Sequence, residues 1–375
     1  MSNFNKIVVI GAGTMGSGIA AHLANSNRQV VLLDLKGKDK SNQISENAID
    51  IIKKSDPPLL VERSRLEHIK PGNLDDDFDE IKDADWVIEA VVERIDIKHK
   101  LYSQIDKVRS PNSIISSNTS TIPLSILTQE MSDTMKADFC ITHFFNPVRF
   151  MRLLEIVETP TVNKDKMSGL RDFCKNELGK GIVNCNDTPG FIGNRIGVYA
   201  MQVAMYEALE RGLPVEIADA LFGRPLGIPK TGVFGLYDLI GIDLMKDVLA
   251  SFKQELQEND PFMDVVAPHP LVEKLLEKGF NGNKGPGGFY QTTIVDDDEI
   301  VKAMNTSDMS YYDFDKVDLE IARRVEKEGI KALLDDDSEY GRYAFAVIAK
   351  IINYSACCIP EVSSNVTDID DALRM

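Results

Sequence analysis

Short apolar runs alternate with stretches of helical periodicity along the first half of the chain. The first run, Lys6–Ile10, is followed at once by a glycine-rich turn and by an alanine-rich segment with helical spacing, Ile19–Asn25. We predict strands at residues 6–10, 30–33, 86–92, 113–116, 139–142 and 153–157. Because the runs are apolar on both faces and alternate with helices, they predict a parallel sheet that is covered by helices.

The pattern changes after residues 186–190. Helical spacing extends from Ile192 to Arg211, and no further series of alternating strands follows it. The tail contains a weak internal repeat, because Glu216–Leu221 is echoed by Asp368–Leu373. We therefore predict an α/β domain at 1–186, a helical domain at 187–305, and an incomplete second helical repeat at 306–375 that lacks the end of the last domain.

The composition excludes several classes of partner. The 375-residue chain has a formal net charge of −17 and no long basic stretch, which argues against nucleic acid and anionic membranes. No apolar run is as long as a membrane span, and the first strand begins too close to Met1 for a signal peptide. Five cysteines without a Cys-x-x-Cys pair are typical of a reducing compartment. We expect a cytoplasmic protein that acts on small molecules.

The turn after the first strand has the spacing of a dinucleotide-binding loop. Gly11 permits the tight turn, Gly13 lets the backbone approach a pyrophosphate, and Gly16 allows close packing of helix on strand. Asp34 ends the second strand, where a carboxylate accepts hydrogen bonds from ribose hydroxyls and repels a 2′-phosphate. Together these residues predict a Rossmann-type doubly wound sheet that binds NAD.

A histidine and a glutamate form the second candidate site. His143 stands beside two phenylalanines, and Glu155 lies within the apolar run Leu153–Val157. Oxidising an alcohol with NAD requires a base for the hydroxyl proton, and a neutral imidazole suits that role. A carboxylate on the other ring nitrogen would fix the tautomer. A lone histidine is more often a core residue, but an unpaired buried carboxylate is costly, which favours a His143–Glu155 pair. No histidines have metal-ligand spacing, so we predict no metal.

Five motifs are distributed between the first strand and Tyr290. They are Gly11-Ala-Gly-Thr-Met-Gly16, Ser117-Asn-Thr-Ser120, His143-Phe-Phe-Asn-Pro147, Asp187-Thr-Pro-Gly-Phe-Ile-Gly-Asn-Arg195 and Lys284-Gly-Pro-Gly-Gly-Phe-Tyr290. In combination they resemble the 3-hydroxyacyl-CoA dehydrogenases of fatty-acid β-oxidation. The resemblance implies NAD-dependent oxidation of an (S)-3-hydroxyacyl-CoA thioester to the 3-oxoacyl-CoA.

The resemblance also implies roles for individual residues. His143 is the base and Glu155 its partner, while Ser120 and Asn194 hold the substrate oxygen and thioester region, with Asn146 as a further substrate contact. The helical domain closes over the substrate and supplies the interface of a homodimer. Contacts to NAD are implied for Gly11, Gly13, Thr14, Met15, Gly16, Asp34, Glu93, Lys98 and Asn118.

Two departures from the family pattern stand out. Single-function members usually end soon after the Gly-Phe-Tyr segment, whereas this chain continues to Met375 through the partial repeat. Residues 223–235 are also longer than the corresponding stretch of the short enzymes. Both features are similar to the dehydrogenase part of multifunctional β-oxidation enzymes, although no enoyl-CoA hydratase segment is present. The resemblance therefore implies a piece of a longer multifunctional enzyme, or a truncated relative whose activity could be impaired.

Two other functions remain open from the sequence. A dehydrogenase of free 3-hydroxy acids would require a fixed cation for the substrate carboxylate, for which Arg149 and Arg152 are candidates. A non-catalytic NAD-binding protein would have no need of a base. The intact set of His143, Glu155, Ser120 and Asn194 therefore argues against that second alternative.

Overall fold

The computed structural model describes residues 4–223, 231–295, 298–315 and 317–375. The chain divides into two compact units. The first consists of Met1–Gly193 together with Ile359–Met375, and the second of Asn194–Cys358. The predicted division into three regions stays a prediction. Most of the long segment 223–235 lies outside the described residues.

One eight-stranded sheet forms the centre of the first unit. Its strands are β1 (Lys6–Ile10), β2 (Gln29–Asp34), β3 (Ile69–Asn73), β4 (Trp86–Glu89), β5 (Ile114–Ser117), β6 (Phe139–Phe144), β7 (Leu153–Glu158) and β8 (Gly181–Cys185). Their order is β3-β2-β1-β4-β5-β6-β7-β8, with every pair parallel except β6 and β7. The strand order reverses between β1 and β4, where doubly wound folds bind ligands at the carboxyl ends of the strands. The predicted doubly wound sheet is confirmed.

All six predicted strands are present, but the two edge strands were not predicted. β3 contains Pro71 and Gly72, which weaken a strand pattern and are tolerated mainly at an edge. β8 has only a short apolar core, Ile182-Val183, between Gly181 and Asn184. Edge strands of this kind carry too few apolar positions to be recognised by periodicity alone.

Helices cover the sheet of the first unit. They are α1 (Thr14–Asn25), α2 (Gln43–Lys54), α3 (Ile95–Val108), α4 (Leu124–Leu127), α5 (Asp133–Ala137) and α6 (Lys164–Asn176). The apolar faces of α1, α2 and α6 share one core with the sheet, in which Trp86 is fully buried. Phe144 packs in this core, with its ring centroid 6.5 Å from that of Trp86. Because successive side chains of a strand point to opposite faces, His143 lies on the other face of β6.

The second unit is mainly helical. Its helices are α7 (Gly193–Glu210, beginning at the last residue of the first unit), α8 (Val215–Leu221), α9 (Phe234–Ile240), α10 (Ile242–Glu255), α11 (Pro270–Glu277), α12 (Glu320–Glu328), α13 (Lys331–Leu334) and α14 (Glu339–Cys357). It also contains an antiparallel sheet of β9 (Tyr290–Val295), β10 (Asp298–Met304) and β11 (Tyr311–Asp313). These three strands are not predicted from the sequence, because the acidic residues around β10 mask its short apolar core, Ile300-Val301.

The last seventeen residues belong to the first unit. Helix α15 (Val366–Arg374) packs on β8. The Asn186 backbone N–H donates to the Val362 carbonyl at 2.8 Å, and its side-chain amide donates to the Pro360 and Glu361 carbonyls at 2.9 Å. The tail therefore fixes the chain directly after β8.

The predicted repeat has a counterpart in secondary structure. In the first copy an 18-residue helix, α7, precedes the 7-residue helix α8. In the second copy a 19-residue helix, α14, precedes the 9-residue helix α15. The short helix of the first copy belongs to the second unit, whereas that of the second copy belongs to the first unit. The two short helices therefore lie in different units, and the repeat stays a prediction.

Candidate active site

The glycine loop joins β1 to α1 in the manner that the sequence predicts. Gly11 has φ 106°, and a Cβ there would lie 2.3 Å from the Ala90 carbonyl oxygen. A Cβ on Gly16 would lie 1.7 Å from the Gly11 carbonyl oxygen, so the first turn of α1 packs directly on the loop. A Cβ on Gly13, in contrast, would meet no atom within 4 Å. The space beside Gly13 is open to a ligand that approaches the N-terminus of α1.

Asp34 ties the end of β2 to this loop. One carboxylate oxygen accepts the Ala12 N–H at 2.6 Å, and the other accepts the Leu35 N–H at 2.6 Å. The carboxylate thus stands at the carboxyl end of β2 beside the loop, where the sequence places the ribose contact. Thr14 is exposed and Met15 is partly buried at the start of α1.

His143 and Glu155 are direct neighbours across β6 and β7. The antiparallel register pairs the two residues, and His143 Nδ1 lies 2.7 Å from Glu155 Oε2. Both side chains are buried, with Glu155 fully so. The other ring nitrogen, Nε2, lies 3.2 Å from the Ser120 hydroxyl oxygen. In the tautomer that donates from Nδ1 to the carboxylate, Nε2 carries the lone pair that can accept a proton. The expected histidine, glutamate and serine are therefore close together.

The second oxygen of Glu155 is held by the segment that precedes α7. Glu155 Oε1 accepts the backbone N–H groups of Ile192 at 2.9 Å and Gly193 at 2.6 Å. The thiol of Cys185 donates to the same oxygen at 3.6 Å. Burial raises the pKa of Cys185 well above its ordinary value, with the nearby Glu155 adding to the effect, so this residue remains a thiol donor. Both Glu155 oxygens are thus hydrogen-bonded away from water.

Ser120 is positioned by a network of hydrogen bonds and ion pairs. Its backbone N–H donates to Glu93 Oε1 at 3.2 Å, and the Thr119 hydroxyl donates to the same oxygen. Lys98 lies between two carboxylates, 2.6 Å from Glu89 and 3.1 Å from Glu93. Burial opposes ionisation of Glu93, but the Lys98 charge and the hydrogen bonds lower its pKa below the ordinary value.

Glu89 was not predicted as part of this network. It is fully buried and accepts hydrogen bonds from Lys98, from Tyr102 at 2.5 Å and from Ser117 at 2.6 Å. Its signal in the sequence is the one that identified Glu155, a carboxylate within an apolar run. The backbone donors of Ile192 and Gly193 have no comparable signal, because backbone groups leave no trace in residue type.

The remaining predicted residues lie in different surroundings. Asn118 is buried and its side-chain oxygen accepts the Phe144 N–H at 2.9 Å, which links the ends of β5 and β6. Asn146 is exposed just after β6. Asn194 is the first residue of the second unit. The ammonium group of Lys98 is buried against Glu89 and Glu93, so its contact with a dinucleotide stays a prediction.

The structure gives no candidate for a metal centre or a membrane helix in the described part of the chain. No group of three or more His, Cys, Asp or Glu side chains is arranged there to hold a metal ion. Among the helices formed by those residues, none is both long and apolar enough to cross a bilayer.

Two family models together match most of the chain. Residues 6–188 match the model described as 3-hydroxyacyl-CoA dehydrogenase, NAD binding domain, and residues 190–292 match the corresponding C-terminal domain. A relative from Rickettsia felis, named as a fatty acid oxidation complex trifunctional enzyme, is 40% identical over 100% of this chain and 51% of its own length. The chain thus spans about half the length of the first curated relatives it matches.

Two other relatives are matched over most of their own length. The mitochondrial hydroxyacyl-coenzyme A dehydrogenase of Rattus norvegicus is 33% identical over 76% of this chain and 90% of its own. The crystal structure of 3-hydroxybutyryl-CoA dehydrogenase from Escherichia coli K12 superposes with a TM-score of 0.72 at 23% identity, over 99% of this chain and 88% of that one. At 23% identity, the match to the Escherichia coli structure shows a shared fold alone.

Proposed function

The chain belongs to the 3-hydroxyacyl-CoA dehydrogenase family, and we propose that it oxidises (S)-3-hydroxyacyl-CoA to 3-oxoacyl-CoA with NAD, with His143 as the general base. The observation that carries this proposal is the imidazole of His143, which is held between the Glu155 carboxylate and the Ser120 hydroxyl. Alcohol oxidation requires an oriented base that can accept the proton of the substrate hydroxyl. The Ser120 hydroxyl beside this base can orient the substrate oxygen by a hydrogen bond. A protein that only binds NAD has no use for such a base.

The residues of the first unit fit NAD. The open space at Gly13 and the N-terminus of α1 suit a pyrophosphate, and Asp34 suits an unphosphorylated ribose. When bound, NAD supplies the acceptor for the hydride that leaves C3 of the substrate. Gly11, Gly13, Thr14, Met15, Gly16 and Asp34 would hold the adenine half, and Glu93, Lys98 and Asn118 are the proposed contacts further along the cofactor.

His143 performs the proton transfer in this proposal. The substrate O–H bond breaks as its proton moves to Nε2, and the electron pair of that bond forms the new C=O bond as the hydride departs. Glu155 stabilises the imidazolium that forms, because its charge lies 2.7 Å from Nδ1. Ser120 orients the reacting oxygen through its hydroxyl. Asn146 and Asn194 are the proposed contacts to the thioester region.

The surroundings of the reaction are also part of the proposal. The buried free thiols of Cys140, Cys174 and Cys185 suit a reducing compartment, and we place the protein in the cytoplasm. A homodimer is the proposed assembly. Because relatives such as the Rickettsia felis protein are named as trifunctional enzymes, an enoyl-CoA hydratase is the proposed neighbouring activity.

The structure disfavours one of the candidates for a free-acid dehydrogenase. The guanidinium of Arg149 donates to the backbone carbonyls of Pro58 and Leu60, so part of its donor set is already used. Arg152 is exposed and stays a candidate.

The test is the appearance of NADH absorbance with purified protein, NAD and 3-hydroxybutyryl-CoA, beside free 3-hydroxybutyrate. His143→Ala serves as the variant that lacks the base. We expect NADH with the thioester alone, and none with His143→Ala. Turnover of the free acid at an equal rate would favour the alternative substrate. NAD binding without turnover of either compound would leave a protein that binds the cofactor but does not catalyse.

A further inference from the structure

Phe191 has a backbone conformation that L-residues rarely adopt. Its φ is 48°, and the preceding Gly190 has φ 71°. Glycine adopts this left-handed region without steric cost, whereas a phenylalanine Cβ crowds the neighbouring carbonyl. Glycine would thus fit the backbone better at position 191 than the residue that is present. Such outliers persist where the surroundings hold them, and they point to a role for the side chain.

The side chain of Phe191 is packed against the proposed base. It is 2% exposed, and its ring lies 5.6 Å from the imidazole of His143 at an interplanar angle of 62°. Phe145 contacts the same imidazole, with ring centroids 4.5 Å apart. Edge-to-face contacts of this kind have a preferred geometry, so they restrict rotation of the imidazole about its side-chain bonds.

The backbone conformation of Phe191 positions hydrogen-bond donors to Glu155, the second member of the pair. Directly after it, the N–H groups of Ile192 and Gly193 point to the same oxygen of Glu155. Successive N–H groups that follow a left-handed residue form a concave site for an anion. Here the anion is the Glu155 carboxylate. Phe191 thus acts on Glu155 through the backbone of its turn, and on His143 through its ring.

We propose that Phe191 is a positioning residue for the His143–Glu155 pair: its ring sets the plane of the imidazole, while its left-handed backbone directs two N–H groups to Glu155. This inference rests on the proposed function, because it assigns Phe191 a share in the activity of His143. A purely structural phenylalanine would contribute to folding and leave the pair unchanged.

The principal variant is Phe191→Gly, which retains a backbone suited to positive φ and removes the ring. We expect kcat per folded molecule to fall by about 100-fold, the scale of an ångström-level misplacement, with KM for NAD unchanged. Phe191→Leu retains apolar bulk without a flat face, and we expect a fall of about tenfold. The matched control is Phe173→Ala, which removes a buried ring of the same unit that packs on Phe4 and Trp86. It should lower the melting temperature and leave kcat per folded molecule unchanged.

A second readout does not depend on turnover. In the wild-type protein the Nδ1 proton of His143, shared with Glu155, should give a protected downfield proton NMR signal that is absent in His143→Gln. We expect Phe191→Gly to broaden or abolish that signal and Phe173→Ala to retain it. Wild-type kcat and an intact signal in Phe191→Gly would overturn the proposal. If Phe191→Gly does not fold, wild-type values of both in Phe191→Leu would do so. If the wild-type protein oxidises no thioester, the proposed function fails, while the NMR comparison still decides whether Phe191 orders the pair.

Discussion

Glu155 in the first unit and Asp219 in the second are buried carboxylates that bind the start of a helix. Glu155 accepts N–H groups from Ile192 and Gly193 at the beginning of α7. Asp219 accepts those of Val233, Phe234 and Gly235 at the beginning of α9, at 2.7 to 2.9 Å. Both follow the rule that a carboxylate stabilises the orphan N–H groups and positive dipole of a helix N-terminus.

The two carboxylates differ in the partner on their remaining side. Glu155 holds the imidazole of His143, whereas Asp219 holds the hydroxyl of Tyr290 at 2.8 Å. Burial raises the pKa of Tyr290 above its ordinary value, and the adjacent Asp219 raises it further, so this phenol keeps its proton and does not act as a base near neutral pH. A buried carboxylate at a helix start is therefore not in itself a sign of catalysis. The proton-accepting partner makes the difference.

The strongest test of this comparison is a matched pair of amide substitutions. We expect Glu155→Gln to lower kcat by about 10³- to 10⁴-fold, because an orienting carboxylate sets the tautomer and stabilises the charged imidazole. Asp219→Asn should leave kcat per folded molecule at the wild-type value. Steady-state NADH formation, corrected for the folded fraction by circular dichroism, measures both. Equal losses in the two variants would mean that the carboxylates share one structural role.

A second test replaces the ionic partner of a buried carboxylate. Lys98→Met leaves the fully buried Glu89 without its cation, and we expect the free energy of unfolding to fall by about 3 to 5 kcal/mol. The control is Lys53→Met, which removes an exposed ion pair with Asp50 and should leave the free energy of unfolding almost unchanged. Urea unfolding followed by tryptophan fluorescence compares them. A similarly small loss of unfolding free energy in both variants would show that the hydrogen bonds from Tyr102 and Ser117 are enough to stabilise Glu89.

The third test uses the pH dependence of stability. Burial raises the pKa of Asp219 from 3.8 to about 6, although the backbone N–H groups oppose this. Between these two values the folded protein retains a proton that the unfolded chain has released. The free energy of unfolding should therefore fall as pH rises through this window, by about 3 kcal/mol relative to Asp219→Asn. Urea titrations from pH 4 to 7 measure the difference, and a constant difference would contradict the raised pKa.

The smallest expected effect concerns a carboxylate that is not buried. Asp34→Asn removes the charge that disfavours a 2′-phosphate, and we expect the preference for NAD over NADP, measured as kcat/KM, to fall by about tenfold, or about 1.4 kcal/mol. Asp39→Asn, a nearby exposed acid, should leave the ratio unchanged. An unaltered ratio in Asp34→Asn would mean that other residues select the cofactor.

The sequence predicts those parts of the molecule that depend on local pattern. The glycine loop and Asp34 have fixed spacing along the chain, and the central strands are apolar runs, so both were recognised. The pair of His143 and Glu155 was predicted because a buried carboxylate needs a partner. The cross-strand register then brings the two residues together.

The parts that were not predicted depend on distant segments or on the backbone. The donors of Ile192 and Gly193 are N–H groups, which every residue except proline carries. The conformation of Phe191 contradicts its residue type, so no propensity indicates it. Strand β8 is short, and the return of residues 359–375 to the first unit involves contacts far apart in sequence, which periodicity does not register.

The return of the tail has a consequence for the order of events during synthesis. The first unit is discontinuous, because 165 residues of the second unit, Asn194–Cys358, are inserted before its last segment. As the ribosome makes the chain from the N-terminus, β8 and Asn186 stay without the covering helix α15 until that insertion has been translated. Strand β8, which lies at the edge of the sheet, thus lacks its contact with α15 during this interval, when unpaired strands are prone to aggregate. Early folding of the second unit would shorten the loop that the tail must close, and so hasten completion of the first.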